Sequence, residues 1–186
     1  MTTFALAIAG VAIPFVFSPG LFLAGGWQDP AIWLSPVISQ FLVSNIVNTV
    51  FDLIFLLIAG RFVERSLGAG GLIALFVVGA YAGALARTLL TPWSLIPTAG
   101  ADAAVFAIIG AYFMLYGVPS VIPVARHYSR VQQIGALALL WLIVQLSFMM
   151  ASGGMEFSLT IINPLGGLVA GVALARPLLA WRYRKA

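Results

Sequence analysis

Six runs of apolar residues, punctuated by glycine, proline and charge, set the first constraint on this chain. About 20 consecutive apolar residues cover the hydrocarbon core of a bilayer. Runs of that order lie over residues 4–23, 36–58, 70–90, 134–150 and 159–179. A further run over residues 103–115 is shorter and follows the irregular stretch 91–97. Irregular backbone at membrane depth is tolerated only where protein or a water-filled cavity surrounds it, so this short run is expected inside a bundle. With 62% hydrophobic and 8% charged residues, the chain carries more apolar surface than a soluble core needs. The sequence therefore predicts an all-α polytopic membrane protein, one domain over residues 1–186 built as a six-transmembrane-helix bundle.

Within the runs, the residues differ in what they ask of their neighbours. Pro14 and the pair Ser18-Pro19 predict a kinked or early-ending first helix. Met1-Thr2-Thr3 lacks the basic start of a signal peptide, so this run is expected to be retained. Residues 25–33 read as a loop whose Trp27 and Trp33 suit the membrane interface. The second run carries Ser44, Asn45, Asn48, Thr49 and Asp52 in its interior. The third is rich in small residues (Gly79, Ala80, Ala82, Gly83, Ala84), which let helices approach closely. Gly166, Gly167 and Gly171 mark a similar packing face on the last run.

Charge gives the orientation. Arg61 and Arg65, then Arg126 and Arg130, then Arg176, Arg182, Arg184 and Lys185 fall on one side, eight of the nine Lys and Arg residues. Arg87 lies toward the other side, with Asp29 and Glu156. The positive-inside rule predicts both termini in the cytoplasm, and an inner (cytoplasmic) membrane of a bacterium is the expected location. The net charge of +4 thus belongs to loops facing the lipid bilayer, and no nucleic-acid partner is expected. Cysteine is absent, which excludes disulfides, thiolate metal sites and a cysteine nucleophile. No cofactor and no metal site are expected.

Asp52 and Asp102 are the carboxylates placed at membrane depth, where an ionisable group is costly and asks for a partner. Asp102 sits where the loop ending Gly100-Ala101 turns into an apolar helix, and capping of that helix is the leading expectation. Asp52 would then bond Asn48, one turn away, or a loop backbone group. An ion pair between Asp102 and Arg87 is a second expectation. A pair of coupled carboxylates sharing one proton, able to act in acid–base chemistry, is a third. Two Asp and a few amides make a poor dedicated cation site. A small transporter or channel lined by Ser44, Asn48 and Asp52 would fit the polar face, but no inverted repeat is visible.

Motifs on three helices, in this order, resemble the rhomboid intramembrane proteases over residues 41–171. Phe41-Leu42-Val43-Ser44-Asn45 stands at the family's aromatic-leucine-histidine-glycine-glycine stretch. Asn48-Thr49-Val50-Phe51-Asp52 stands at its His-x-x-x-Asn, followed at the right interval by Gly60-Arg61 and Glu64. Gly100-Ala101-Asp102-Ala103 stands at Gly-x-Ser-Gly, and Pro164-Leu165-Gly166-Gly167 at histidine-leucine-glycine-glycine. The first loop, in contrast, shows no Trp-Arg pair.

By this resemblance Asn48 takes the place of a histidine, Asp52 of the asparagine, Asp102 of the serine nucleophile and Pro164 of the catalytic histidine. The family's mechanism needs a hydroxyl activated by a base. The single histidine, His127, lies in the basic loop on the opposite side. The resemblance implies six core helices, a cytoplasmic N-terminus and a catalytically inactive rhomboid-like pseudoprotease. It further implies a non-enzymatic protein that binds transmembrane proteins, as a client-binding factor or as an accessory or assembly subunit of a complex. An intramembrane protease or proton-handling protein using Asp52 and Asp102 is the alternative. The Gly-x-Gly-Asp pattern of intramembrane aspartyl proteases is not met by Ala99-Gly100-Ala101-Asp102.

Overall fold

The computed structural model describes residues 16–43, 46–117, 129–152 and 161–184, with backbone alone at 31, 47, 48 and 144–152. Its α-helices are α1 (Pro19–Leu23), α2 (Pro30–Ile38), α3 (Ile46–Leu90), α4 (Asp102–Tyr116), α5 (Arg130–Ser152) and α6 (Ile162–Tyr183). Among the described residues the only strand-like pairing is one antiparallel bridge between Phe17 and Thr98. The described residues thus form an all-helical fold. Among those residues, two helical stretches, Thr49–Leu90 and Ile162–Tyr183, are long and apolar enough to cross a bilayer.

The helices do not follow the expected runs one for one. Residues 1–15, most of the first run, lie outside the described residues. Pro19 opens a helix where Ser18-Pro19 was expected to end one. Ser18 is extended (φ −135°, ψ 124°), and a proline in the first helical turn has no amide that the helix would use. The expected interface loop over 25–33 is partly helical: a 3-10 turn spans Gly26–Gln28 and α2 begins at Pro30. Trp33 lies on α2, where its Nε1 donates to the Trp27 carbonyl at 3.0 Å and its own carbonyl accepts from Tyr81 Oη at 2.7 Å.

The second run does not start at residue 36. α2 ends at Ile38, a 3-10 turn spans Ser39–Phe41, and the continuous helix begins at Ile46. That helix then runs through both the second and third expected spans. Gly68 (φ 78°, ψ 168°) alone departs from helical geometry and divides α3 into two limbs, residues 46–67 and 69–90. A positive φ is open to glycine at little steric cost, so a single residue suffices for a turn that the sequence suggested would need a loop.

α4 is apolar on every side, which suits a helix surrounded by protein. Ala103, Ala104, Val105, Ala107, Ile108, Gly110, Ala111 and Met114 are all buried. The first limb contributes Ala59, Val63 and Leu67 to the same core, the second limb Leu75, α5 Ile134, and α6 Leu168 and Ala175. Small residues set how close these helices come. Gly79 and Gly83 of the second limb lie against Ala107 and Ala103 of α4, and Gly167 and Gly171 of α6 lie against the backbone carbonyls of the same two alanines. A methyl group at Gly167 or Gly171 would overlap those carbonyls, so α4 and α6 touch backbone to backbone there.

Candidate functional site

Asp52, on the first limb of α3, is buried, and Asp102 is the first residue of α4. The limb turns one stripe toward α4 (Asp52, Ala59, Val63, Leu67), so Asp52 faces the start of that helix. The two carboxyl groups lie close enough to interact with each other. Two ionised carboxylates have no donor between them, so a hydrogen bond across this gap would need a proton on one. What the structure shows of these residues is the proximity of the two carboxyls.

Asp102 does not cap α4. The N-cap position belongs to Ala101 and carries no side-chain cap bond. One residue further in, Asp102 still benefits from the positive end of the helix dipole. The capping bond comes from elsewhere: Gln40 Oε1 accepts from the Ala104 amide at 3.3 Å. That amide is the third of the helix, one that an N-cap side chain ordinarily satisfies. Gln40 is buried and held in place by its Nε2, which donates to the Pro36 carbonyl at 3.1 Å. The Gly100 amide donates to the Ser39 carbonyl at 3.0 Å, so the 3-10 turn clasps both the loop and the helix start. Sequence reasoning missed Gln40. The one available signal was a polar pair, Ser39-Gln40, inside a run taken as a membrane span.

Arg87 does not reach across to Asp102 as an ion-pair partner. Its Nη2 donates to the Ile96 carbonyl at 2.8 Å and to Ser94 Oγ at 3.5 Å. The side chain is 0% exposed, and its Nε and Nη1 have no hydrogen-bond partner. Thr91 Oγ1 donates to the Arg87 carbonyl at 2.9 Å and Ser18 Oγ to the Ser94 carbonyl at 3.1 Å. The Thr98 amide donates to the Phe17 carbonyl at 2.9 Å. These bonds pin the stretch that leads into α4 to both α3 and the residues before α1.

Pro164 is buried in the first turn of α6, where its missing amide would have no helical partner. Gly167 and Gly171 meet α4 at Ala103 and Ala107, and Gly166 lies against Ala82 and Ala86 of α3. Asn48 lies on α3 one turn before Asp52, and its side chain lies outside the description, as do His127 and Glu156. Among the described residues no group of three His, Cys, Asp or Glu side chains could hold a metal ion.

The far end of α4 is tied by different groups. Gly117 has φ 83°, and Arg130 Nη1 donates to the carbonyls of Met114 (2.9 Å) and Leu115 (3.1 Å). Tyr116 Oη donates to the Phe62 carbonyl at 2.9 Å and lies 2.6 Å from Ser66 Oγ. Arg182 Nη1, at the end of α6, donates to the carbonyls of Arg65 (2.9 Å) and Glu64 (3.4 Å), beside the bend at Gly68.

The rhomboid domain family matches residues 31–181, from α2 to the end of α6. This chain belongs to the rhomboid family. With its long apolar helices, it is a rhomboid-family membrane protein. Rhomboid protease GluP of Bacillus subtilis (strain 168) is 27% identical over 144 residues, which are 77% of this rhomboid chain and 26% of that protein. The chain therefore spans about a quarter of that relative's length. No solved structure matches it.

Proposed function

We propose that this rhomboid-family protein works without serine-protease chemistry, by binding other transmembrane proteins. It acts as a client-binding factor or as an accessory or assembly subunit of a larger membrane complex. The observation that carries this reading is the Asp52–Asp102 pair at the head of α4. By resemblance, Asp102 stands where rhomboid proteases have their serine, and Pro164 where they have their histidine. An aspartate offers no alcohol hydroxyl to serve as the nucleophile, and a proline ring in the chain cannot act as a base. The exposed apolar side chains at the start of the first limb, among them Val50, Phe51 and Leu53, supply surface for a partner's helix. We place six spans in the bilayer of a bacterial inner membrane with both termini in the cytoplasm. The gathering of Arg61, Arg65 and Arg182 at the bend between the limbs supports that orientation.

The same pair favours a second reading. Two carboxyls sharing a proton are the acid–base arrangement of aspartic proteases, and the similar protein is named a protease. One experiment separates the two. The protein, Asp52→Asn and Asp102→Asn are each reconstituted with a fluorescent transmembrane substrate, and each is also purified in mild detergent for mass spectrometry of what co-purifies. The expected result is no cleavage by any of the three and a membrane protein retained stoichiometrically by the wild type. Cleavage by the wild type that both substitutions abolish would establish the protease and remove the binding reading.

A further inference from the structure

We propose that the outward face of the first limb of α3 binds the headgroup of an anionic phospholipid, with Arg61 and Arg65 as its phosphate-binding groups. An open groove of about 430 Å³ lies on this face, lined by Leu57, Ile58, Arg61, Phe62 and Arg65. These residues recur one turn apart on one side of the helix, opposite the stripe of Ala59, Val63 and Leu67 that packs into the core. The groove therefore opens outward from the core, with Phe62 at its edge also in ring contact with Tyr112 and Tyr116 of α4. Its chemistry changes along its length: apolar side chains come first, then two exposed guanidinium groups toward the end of the limb.

The guanidinium groups of Arg61 and Arg65 have no carboxylate partner among the described residues, and Glu64 on the same turn joins neither. Arg182 approaches the same turn through its bond to the Arg65 carbonyl, adding a third cation close by. A guanidinium presents a planar fork of donors that matches phosphate oxygens. Two forks one helical turn apart can share one phosphate group or grip neighbouring ones, while Leu57, Ile58 and Phe62 lie along the first carbons of an acyl chain. A free phosphate would use only the cationic half of this groove. A zwitterionic lipid would bring its own cation against Arg61 and Arg65. An anionic lipid satisfies both halves, and basic groups at a membrane surface attract such lipids.

The test uses the purified full chain in discs made of phosphatidylglycerol and phosphatidylcholine, with native mass spectrometry of the lipid kept after release. The wild type is expected to retain phosphatidylglycerol over phosphatidylcholine, and the double variant Arg61→Gln/Arg65→Gln to lose that preference by about tenfold. Arg176→Gln/Arg184→Gln removes the same charge from exposed positions on and after α6 and is expected to keep it. Circular dichroism checks that the variants retain their helix content. Should the glutamine pair fail to fold, Arg61→Lys/Arg65→Lys keeps the charge without the fork and is expected to weaken the preference severalfold. No preference in the wild type, or equal loss in the Arg176/Arg184 control, would overturn the proposal. Displacement of the lipid by millimolar inorganic phosphate alone would do the same, since it would make the apolar half irrelevant.

Discussion

The two ends of α4 solve one problem in opposite ways. Each end of a helix leaves backbone groups that need partners, amides at the start and carbonyls at the finish. At the start, the partner is Gln40, a short buried side chain on a 3-10 turn, and the surroundings are backbone, small residues and two carboxyls. At the finish, the partner is Arg130, a long side chain reaching in from an exposed position. Charge follows the helix dipole at both ends, with an acid in the first turn and a cation on the last carbonyls. The difference is tolerance. An interior end fixes each neighbour to within a methyl group, whereas an end served by long flexible cations leaves its neighbours room to change.

Substitutions can break or sharpen this contrast. The largest effect is expected at the interior end. Gly167→Val drives a side chain into the Ala103 carbonyl and is expected to destabilise the protein by about 3 kcal/mol or more. Gly135→Val, where a side chain meets open space, is expected to cost far less. Reversible unfolding in mixed detergent micelles, followed by circular dichroism, measures both, and equal losses would remove the distinction. Next comes Gln40→Ala, which strands the Ala104 amide and leaves a buried gap; about 2 kcal/mol is expected by the same measurement. A loss as small as that of a surface substitution would mean that the amide finds another acceptor. The smallest is Arg182→Ala at the cationic end, expected to cost about 1 kcal/mol. Its signature is local: faster hydrogen exchange around Gly68, with protection at the start of α4 unchanged.

What the sequence disclosed follows from which forces are local. The helix over residues 103–115 and its acidic start are visible because apolar composition and one Asp act within a few residues, and the structure extends that helix to Asp102–Tyr116. The glycines at 166, 167 and 171 were readable as a packing face for the same reason, though their targets, Ala82, Ala103 and Ala107, were not. Gln40 was invisible because its partner is another helix. Capping by Asp102 was expected from a local preference, and a tertiary hydrogen bond displaced it. The expected Arg87–Asp102 pair assumed that opposite charges on one side meet, but Arg87 is taken up by the carbonyl of Ile96. The join between the second and third runs differed in another way. The gap between 58 and 70, with Arg61 and Arg65 in it, was read as lying outside the spans, yet one positive φ at Gly68 was enough to turn the chain with helix on both sides. Arg130 and Arg182 had been assigned to topology, and each also carries two backbone carbonyls.

The bend at Gly68 has a consequence for the order in which the molecule is made. Its angle is braced by Arg182, whose bond to the Arg65 carbonyl spans 117 residues. A chain leaving the ribosome from its N-terminus lays down both limbs of α3 long before α6 exists. During that interval the carbonyls of Glu64 and Arg65 have water or lipid headgroups for company, and the limbs are free to swing. The helix that locks this hinge is therefore made more than a hundred residues after it, so the limbs take their fixed angle only once α6 has emerged.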